Sequence, residues 1–380
     1  MPRASSSSFD RSDDFADDGV METASDASEA KRWVTEDDAM PFARSTRMER
    51  ADAPTRRRAR RALTARGYVI DRHAEAFAND EKKPPIKTSP LVNRGYWARV
   101  EAIRAATRTF ALALASTKTK RANVINLGAG YDTIAFYVRD IFDVAFDVDV
   151  DVKVVECDRG KIARAKAGMA RASVGIRRAL GGAKNFGDER ESAGESDSRL
   201  ETYAYAVGER YALVACDVRD VADVERAMTA AKVDFSRPTL VLAECVLAYL
   251  PQGKSFDLVR WFGERVKVGA FVSYDPIEPD DAFGRTMMRN VESRGCAFRG
   301  IYDAPNVAAA ARRFTSNAWE RAEAYDMNQM YEEKLDARER ERIERIERFD
   351  EFEEWRLIMA HYCVSYAANG LDSSSFPFPK

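Results

Sequence analysis

The sequence predicts an α/β fold: a Rossmann-like, mostly parallel sheet with an N-terminal helical cap and C-terminal helices added to it. Three observations predict it. Short apolar strands alternate with helical segments between residues 121 and 370, the pattern of βα repeats. The first strand runs into a glycine turn, Asn123-Val124-Ile125-Asn126-Leu127-Gly128-Ala129-Gly130. Acidic residues close the strands that follow, at Asp158, Asp217 and Glu244.

A chain of 380 residues, 45% hydrophobic and 32% charged, suits one catalytic domain with additions. Sixty basic residues against sixty-two acidic leave a net charge of −2, which gives no bulk field for nucleic acid or an anionic membrane. Neither is expected as a partner, and a monomer is expected. Cys157, Cys216, Cys245, Cys296 and Cys363 are far apart with no CxxC pair, and read as free thiols in a reducing cytoplasm. No apolar run approaches a membrane span, and the first thirty residues are serine-rich and acidic. A transit or secretory peptide is therefore not expected.

In chain order, residues 1–51 mix serine, aspartate and arginine without apolar periodicity, and are expected to be disordered. Residues 52–120 form the cap. The run Arg56-Arg57-Arg58-Ala59-Arg60-Arg61 is either a solvated helix start, a nuclear address that would add access to the nucleus, or a ligand-facing cation. Val92, Trp97, Val100, Ile103, Ala106, Phe110 and Leu112 recur at helical spacing between Leu91 and Leu114, which predicts a helix packed on the sheet. Residues 121–370 hold the main domain. After the first strand come a strand at Lys153–Cys157, a helix at Arg159–Ala172 and a strand at Tyr211–Cys216. Residues 181–199, rich in glycine, serine and glutamate, read as a surface insertion. Strands at Thr239–Ala243 and Ala270–Tyr274 alternate with helices at Ser255–Val266 and Ala282–Arg294. A long charged helix is predicted within Leu335–His361, with a last strand at Tyr362–Ala368 and a flexible tail at 371–380.

Gly128 and Gly130 let the backbone turn tightly and approach a ligand with no Cβ between. A dinucleotide fingerprint would carry a third glycine where Thr133 stands. The two-glycine turn suits a nucleoside whose tail has no pyrophosphate, S-adenosylmethionine being the commonest; another nucleotide fold or a purely structural turn is the alternative. Ligands of open α/β sheets sit beyond the carboxyl ends of the strands, which singles out Gly128, Asp158, Asp217 and Glu244. Asp158, or its neighbour Glu156, can accept ribose hydroxyls; Asp217 can meet an adenine amino group while Val218 packs on the ring. Glu244 interrupts an apolar run, so it needs a cationic partner, such as the ammonium of a methionine tail. Each acid is otherwise a helix cap or turn residue.

The chain has two histidines, His73 and His361, no Ser-His-Asp or HExxH spacing, and no convincing ligand cluster for a metal. A site without a general base needs an acceptor already nucleophilic at neutral pH, and a C-terminal carboxylate with a pKa of about 3.5 is one. Bidentate arginine suits such an anion. Arg94 and Arg99, in Asn93-Arg94-Gly95-Tyr96-Trp97-Ala98-Arg99, are candidates, with surface arginines as the alternative. His361, at an apolar helix end, reads as structural.

Four stretches in order and at matching spacing resemble leucine carboxyl methyltransferases: Asn93 to Val100, Asn126 to Thr133, Cys216-Asp217-Val218-Arg219-Asp220 and Ala243-Glu244-Cys245-Val246-Leu247-Ala248-Tyr249-Leu250. Phe283-Gly284-Arg285 and His361-Tyr362-Cys363 extend the resemblance, which runs from about Arg60 to Asn369. It implies a class I S-adenosylmethionine-dependent methyltransferase sheet. It also implies methyl esterification of the C-terminal leucine carboxylate of the protein phosphatase 2A catalytic subunit. By that resemblance Arg99, Gly128, Asp158, Asp217, Val218 and Glu244 line the S-adenosylmethionine site, and Tyr249 faces the acceptor carboxylate. The family's basic residue before a Gly-Tyr pair falls on Arg60 or Arg57, ahead of Gly67-Tyr68. The usual acid-proline pattern after the second strand is replaced here by Asp158-Arg159-Gly160. A sister branch carboxymethylates a tRNA base and carries a β-propeller, a repeat this sequence lacks. A carboxyl methyltransferase of that kind, or of a small molecule, is the alternative activity, and a non-catalytic binding module of the same fold the alternative class.

Overall fold

A computed structural model describes residues 63–77, 89–115, 120–145, 151–180, 204–293, 295–374 and 376–377. The tail 1–51, the arginine run with Arg57 and Arg60, and the insertion 181–199 lie outside these residues. The expected cap helix is α1 (Pro90–Ala115). Its Ala98, Ala102 and Ala106 are fully buried, and small residues four apart let a helix lie close to its neighbour. Strand β1 (Arg121–Leu127) leads through the glycine turn into α2 (Ile134–Ala145), where Phe142 meets Phe110 of α1 at 6.4 Å between ring centres.

The remaining strands are β2 (Asp151–Asp158), β3 (Ala204–Val207), β4 (Tyr211–Ala215), β5 (Thr239–Glu244), β6 (Gly269–Pro276), β7 (Arg321–Asp326) and β8 (Tyr362–Asn369). They form one eight-stranded sheet in the order β3-β4-β2-β1-β5-β6-β8-β7. β4, β2, β1, β5 and β6 are parallel, whereas β8 runs antiparallel to both β6 and β7, and β3 antiparallel to β4. This is the Rossmann-like, mostly parallel sheet that the sequence predicts. Neighbouring residues of β1 feed opposite cores: Val124 packs with α1 and α2, Ile125 with the helices of the other face. That alternation follows from the two-residue period of a strand covered on both sides.

Helices α3 (Gly160–Ala172), α4 (Val174–Ala179), α5 (Val221–Ala230), α6 (Lys254–Arg265), α7 (Ala282–Ser293) and α8 (Val307–Thr315) connect the strands. The long helix expected within Leu335–His361 is instead two, α9 (Ala337–Glu344) and α10 (Phe352–Ala360). Phe349, between them, meets Phe352 and Trp355 edge to face, which breaks the charged pattern. Among the described residues no helix is long and apolar enough to cross a membrane.

β1 pairs with β2 on one side and β5 on the other, so the chain reverses its direction of travel across the sheet there. The crevice outside the carboxyl ends at such a point is where open α/β sheets bind ligands.

Candidate active site

At the end of β1, Gly128 and Gly130 take φ of 62° and 48°, conformations that a side chain would strain. The Ala129 N–H donates to the Cys157 carbonyl at 3.0 Å, and the Gly130 N–H to Asp158 Oδ2 at 2.6 Å. Asp158 Oδ1 accepts from the Arg159 N–H at 2.7 Å, so the glycine turn fixes one carboxylate oxygen and the backbone after β2 the other. Glu156 is not an alternative ribose acceptor. It is fully buried, paired with Lys166 Nζ at 2.8 Å and accepting from the Tyr211 hydroxyl at 2.6 Å.

Asp217 follows β4. Burial works to raise its pKa, but the hydrogen bonds and charge of Arg219, aided by Arg159, hold it below the usual carboxylate range. Arg219 grips it at 2.9 and 2.6 Å, and Arg159 stands 3.5 Å away. Gly128, Asp158, Arg159, Asp217 and Val218 line a cleft of about 340 Å³ together with Cys216, Val246 and Leu250. Four of the residues expected to hold a cofactor thus share one cleft: two carboxylates, a glycine and an apolar wall. Carboxylates that accept from hydroxyl and amino groups, beside an apolar wall, fit an adenosine.

Glu244 ends β5 and pairs with Arg99 Nε of α1. The partner that this carboxylate requires therefore comes from the protein itself. The Arg99 guanidinium also faces the rings of Tyr274 at 5.2 Å and Tyr96 at 5.8 Å. After Glu244, Cys245 takes φ 52°, a conformation that costs a non-glycine residue about 1–3 kcal/mol. The bend carries the chain across the strand end into a short 3-10 turn, Leu247–Tyr249. Tyr249 is buried there, edge-on to Phe298 at 4.8 Å. Burial, then Cys245, push its hydroxyl well above the usual phenol range, against the opposing charge of Arg99. Asp275 braces this turn: its Oδ1 accepts from the Ala248 N–H at 3.1 Å while Arg313 holds its other oxygen at 3.4 Å.

Arg94 is not part of this group. It stands about 140° around the α1 axis from Arg99, and its guanidinium lies 3.9 Å over the Phe349 ring and 5.9 Å from that of Trp355.

A second cavity opens under the cap between residues 63–71, α1 and the start of α2, with Glu244 in its wall. Gly128 and Val246 face the first cleft, Thr133 and Glu244 the second, so the glycine turn and the strand end after β5 border both. Thr133, where a dinucleotide site would have glycine, donates its hydroxyl to Asp71 of the cap segment. Sequence reasoning missed this latch and Lys166. The second had a signal: Lys166 falls on the stripe Ile162, Lys166, Ala170 of α3, all buried. His361 is structural, with Nδ1 at 2.8 Å from the Leu357 carbonyl and Nε2 at 3.0 Å from both oxygens of Asp281. All five cysteines are free and buried.

A family profile described as leucine carboxyl methyltransferase matches residues 39–263. The chain is 36% identical over 304 residues to the leucine carboxyl methyltransferase 1 homolog of Arabidopsis thaliana, covering 80% of this chain and 84% of that one. It is 28% identical to leucine carboxyl methyltransferase 1 of Rattus norvegicus, covering 97% and 95%. It is also 34% identical to tRNA wybutosine-synthesizing protein 4 of Homo sapiens, covering 82% of this chain but only 42% of that longer protein. With a profile spanning more than half of its length and a relative at 36% identity matched over four fifths of both chains, the chain belongs to the leucine carboxyl methyltransferase family.

Proposed function

We propose that this protein methyl-esterifies the C-terminal leucine carboxylate of the protein phosphatase 2A catalytic subunit. The observation that carries the reading is the Arg99–Glu244 pair at the sheet rim, with Glu244 in the wall of the second cavity and the charge of Arg99 acting on Tyr249. Its family membership makes the chain an S-adenosylmethionine-dependent carboxyl methyltransferase. S-adenosylmethionine, when bound, supplies an electrophilic methyl group.

The rest falls to the chain's own residues. Gly128, Asp158, Asp217 and Val218 hold the adenosine in the first cleft, with Gly130 shaping the turn. Arg219 and Arg159 keep Asp217 ionised and aimed. Arg60 lies outside the described residues, and a contact from it to the cofactor is proposed on the resemblance alone. The acceptor carboxylate is ionised above a pH of about 3.5, so no residue has to remove a proton from it. Arg99 offers it positive charge, and Tyr249 stays protonated as a hydrogen-bond donor. Arg94, stacked on Phe349, supports α1 against the C-terminal segment rather than meeting the acceptor. Orientation of two reactants in a closed site supplies about 7–11 kcal/mol in favourable cases, and these residues provide it.

The test is incubation with methyl-labelled S-adenosylmethionine and purified phosphatase catalytic subunit, with and without its last residue, followed by mass measurement of the C-terminal peptide. One methyl on the intact subunit and none on the truncated one is expected, with Arg99→Ala reducing transfer at least about 100-fold. Equal labelling by Arg99→Ala would count heavily against the reading. The likeness to tRNA wybutosine-synthesizing protein 4 supports a second reading, methylation of a carboxyl on a tRNA base. Methyl transfer to purified tRNA, with the phosphatase left unlabelled, is the outcome that would favour it.

A further inference from the structure

The cavity under the cap is lined by groups whose hydrogen-bonding capacity is unevenly used. Its acids are engaged. Asp71 accepts from the Thr133 hydroxyl and, at 2.9 Å, from the His73 N–H. Asp132 accepts from the N–H groups of Thr133 at 2.6 Å and Ile134 at 3.2 Å. Glu244 is paired with Arg99.

Two of its donors on α1, the Tyr96 hydroxyl and Arg104 Nε, are not. Tyr96 lines the cavity at 5% exposure, and its hydroxyl is buried without a hydrogen-bond partner. Arg104 lines it too. Its Nη2 donates to the Ile70 carbonyl at 3.2 Å and its guanidinium lies 4.5 Å from the Tyr137 ring, yet its Nε is buried and unbonded. A buried donor left without an acceptor is costly, and the residues lining this cavity carry two of them.

We propose that Tyr96, with the charge of Arg104 behind it, forms a carboxylate-binding subsite in the cap cavity, the Tyr96 hydroxyl donating to the anion. The proposal rests on the methyl-transfer reading above. Both reactants of that reading carry a carboxylate: the amino-acid end of S-adenosylmethionine and the terminus of the acceptor. Tyr96 is a binding residue in either case, since its hydroxyl takes no part in making or breaking bonds.

The experiment compares wild type with Tyr96→Phe by calorimetry, using S-adenosylmethionine and 5′-methylthioadenosine, which has the adenosine but no amino-acid end. The KM for purified phosphatase catalytic subunit is measured in parallel. Loss of a hydrogen bond to a charged group predicts about tenfold weaker binding or more. If the carboxylate is the cofactor's, Tyr96→Phe binds S-adenosylmethionine about tenfold more weakly and methylthioadenosine as well as wild type does. If it is the acceptor's, both nucleosides bind normally and the acceptor KM rises about tenfold. Arg104→Gln should move the same quantity in the same direction. Wild-type values for both variants in every measurement would overturn the subsite, and so would a Tyr96→Phe loss that is equal for the two nucleosides. Wild-type protein that binds neither nucleoside overturns the methyl-transfer reading itself, and the subsite with it.

Discussion

Lys166 is an ammonium with 2% of its side chain exposed, held by Glu156 at 2.8 Å and by the Asp132 carbonyl at 2.7 Å. It ties the end of β2 to the glycine turn, so one cation under the floor of the site fixes the turn that the cofactor reading depends on. Removing one member of such a buried pair leaves the other charge unpaired and costs about 3–5 kcal/mol. Lys166→Met should lower stability by about that amount in urea unfolding, whereas the double variant Lys166→Met/Glu156→Leu should recover much of the loss. At this scale the sequence singled out Asp158, Asp217, Val218 and Glu244, because each interrupts or follows an apolar strand, and the structure sets the first three in one cleft and Glu244 in the wall of the other cavity. It could not tell that Glu156 belongs to Lys166, or that Arg94 belongs to Phe349, since partners brought in from other elements leave no mark on local spacing.

The short turn carrying Tyr249 is shaped by what lies beneath it. A Cβ on Gly300 would sit 2.7 Å from the Leu250 carbonyl oxygen and 2.8 Å from that of Leu247, and the Gly300 N–H donates to the Ala248 carbonyl at 2.9 Å. Gly300→Ala should therefore displace the turn, at a stability cost of about 1–3 kcal/mol for overpacking. Thermal unfolding would register that loss. Methyl transfer should fall further than cofactor affinity, because the first cleft takes only Val246 and Leu250 from this segment. Elements with long apolar or strictly periodic runs, such as β1, β5, β6 and α1, were legible within a residue or two at most ends. β3, with four residues, and β7, partly exposed and carrying Arg321, Glu323 and Asp326, were not. Edge strands bury one flank at most, so their sequences lack the apolar run that betrays a central strand. The helices α5 and α8 were passed over as well, although Asp220 and Asn306 cap them with side-chain hydrogen bonds.

For the molecule as a whole, the absence of proton removal from the proposed chemistry has a consequence for its response to pH. The acceptor is ionised well below neutrality. Burial raises the Tyr249 hydroxyl above the usual phenol range, so it keeps its proton through mildly alkaline conditions. The rate kcat/KM should therefore be level between about pH 6 and pH 9. A limb with a midpoint near 7 in the profile would indicate a titrating base and oppose the mechanism. The fold class was legible because alternation of strand and helix is a property of the whole sequence; the order of strands was not, because register and crossing are decided by packing.

That strand order also bears on how the protein is made. β8 lies between β6 and β7 but follows both in the chain. A ribosome therefore delivers β7 before β8, the one strand it pairs with among the described residues, and leaves one flank of β6 bare until Tyr362–Asn369 has emerged. Nascent chains stalled ahead of that point would expose an unpaired β edge, a template for aggregation, and would be the species that chaperones have to shield.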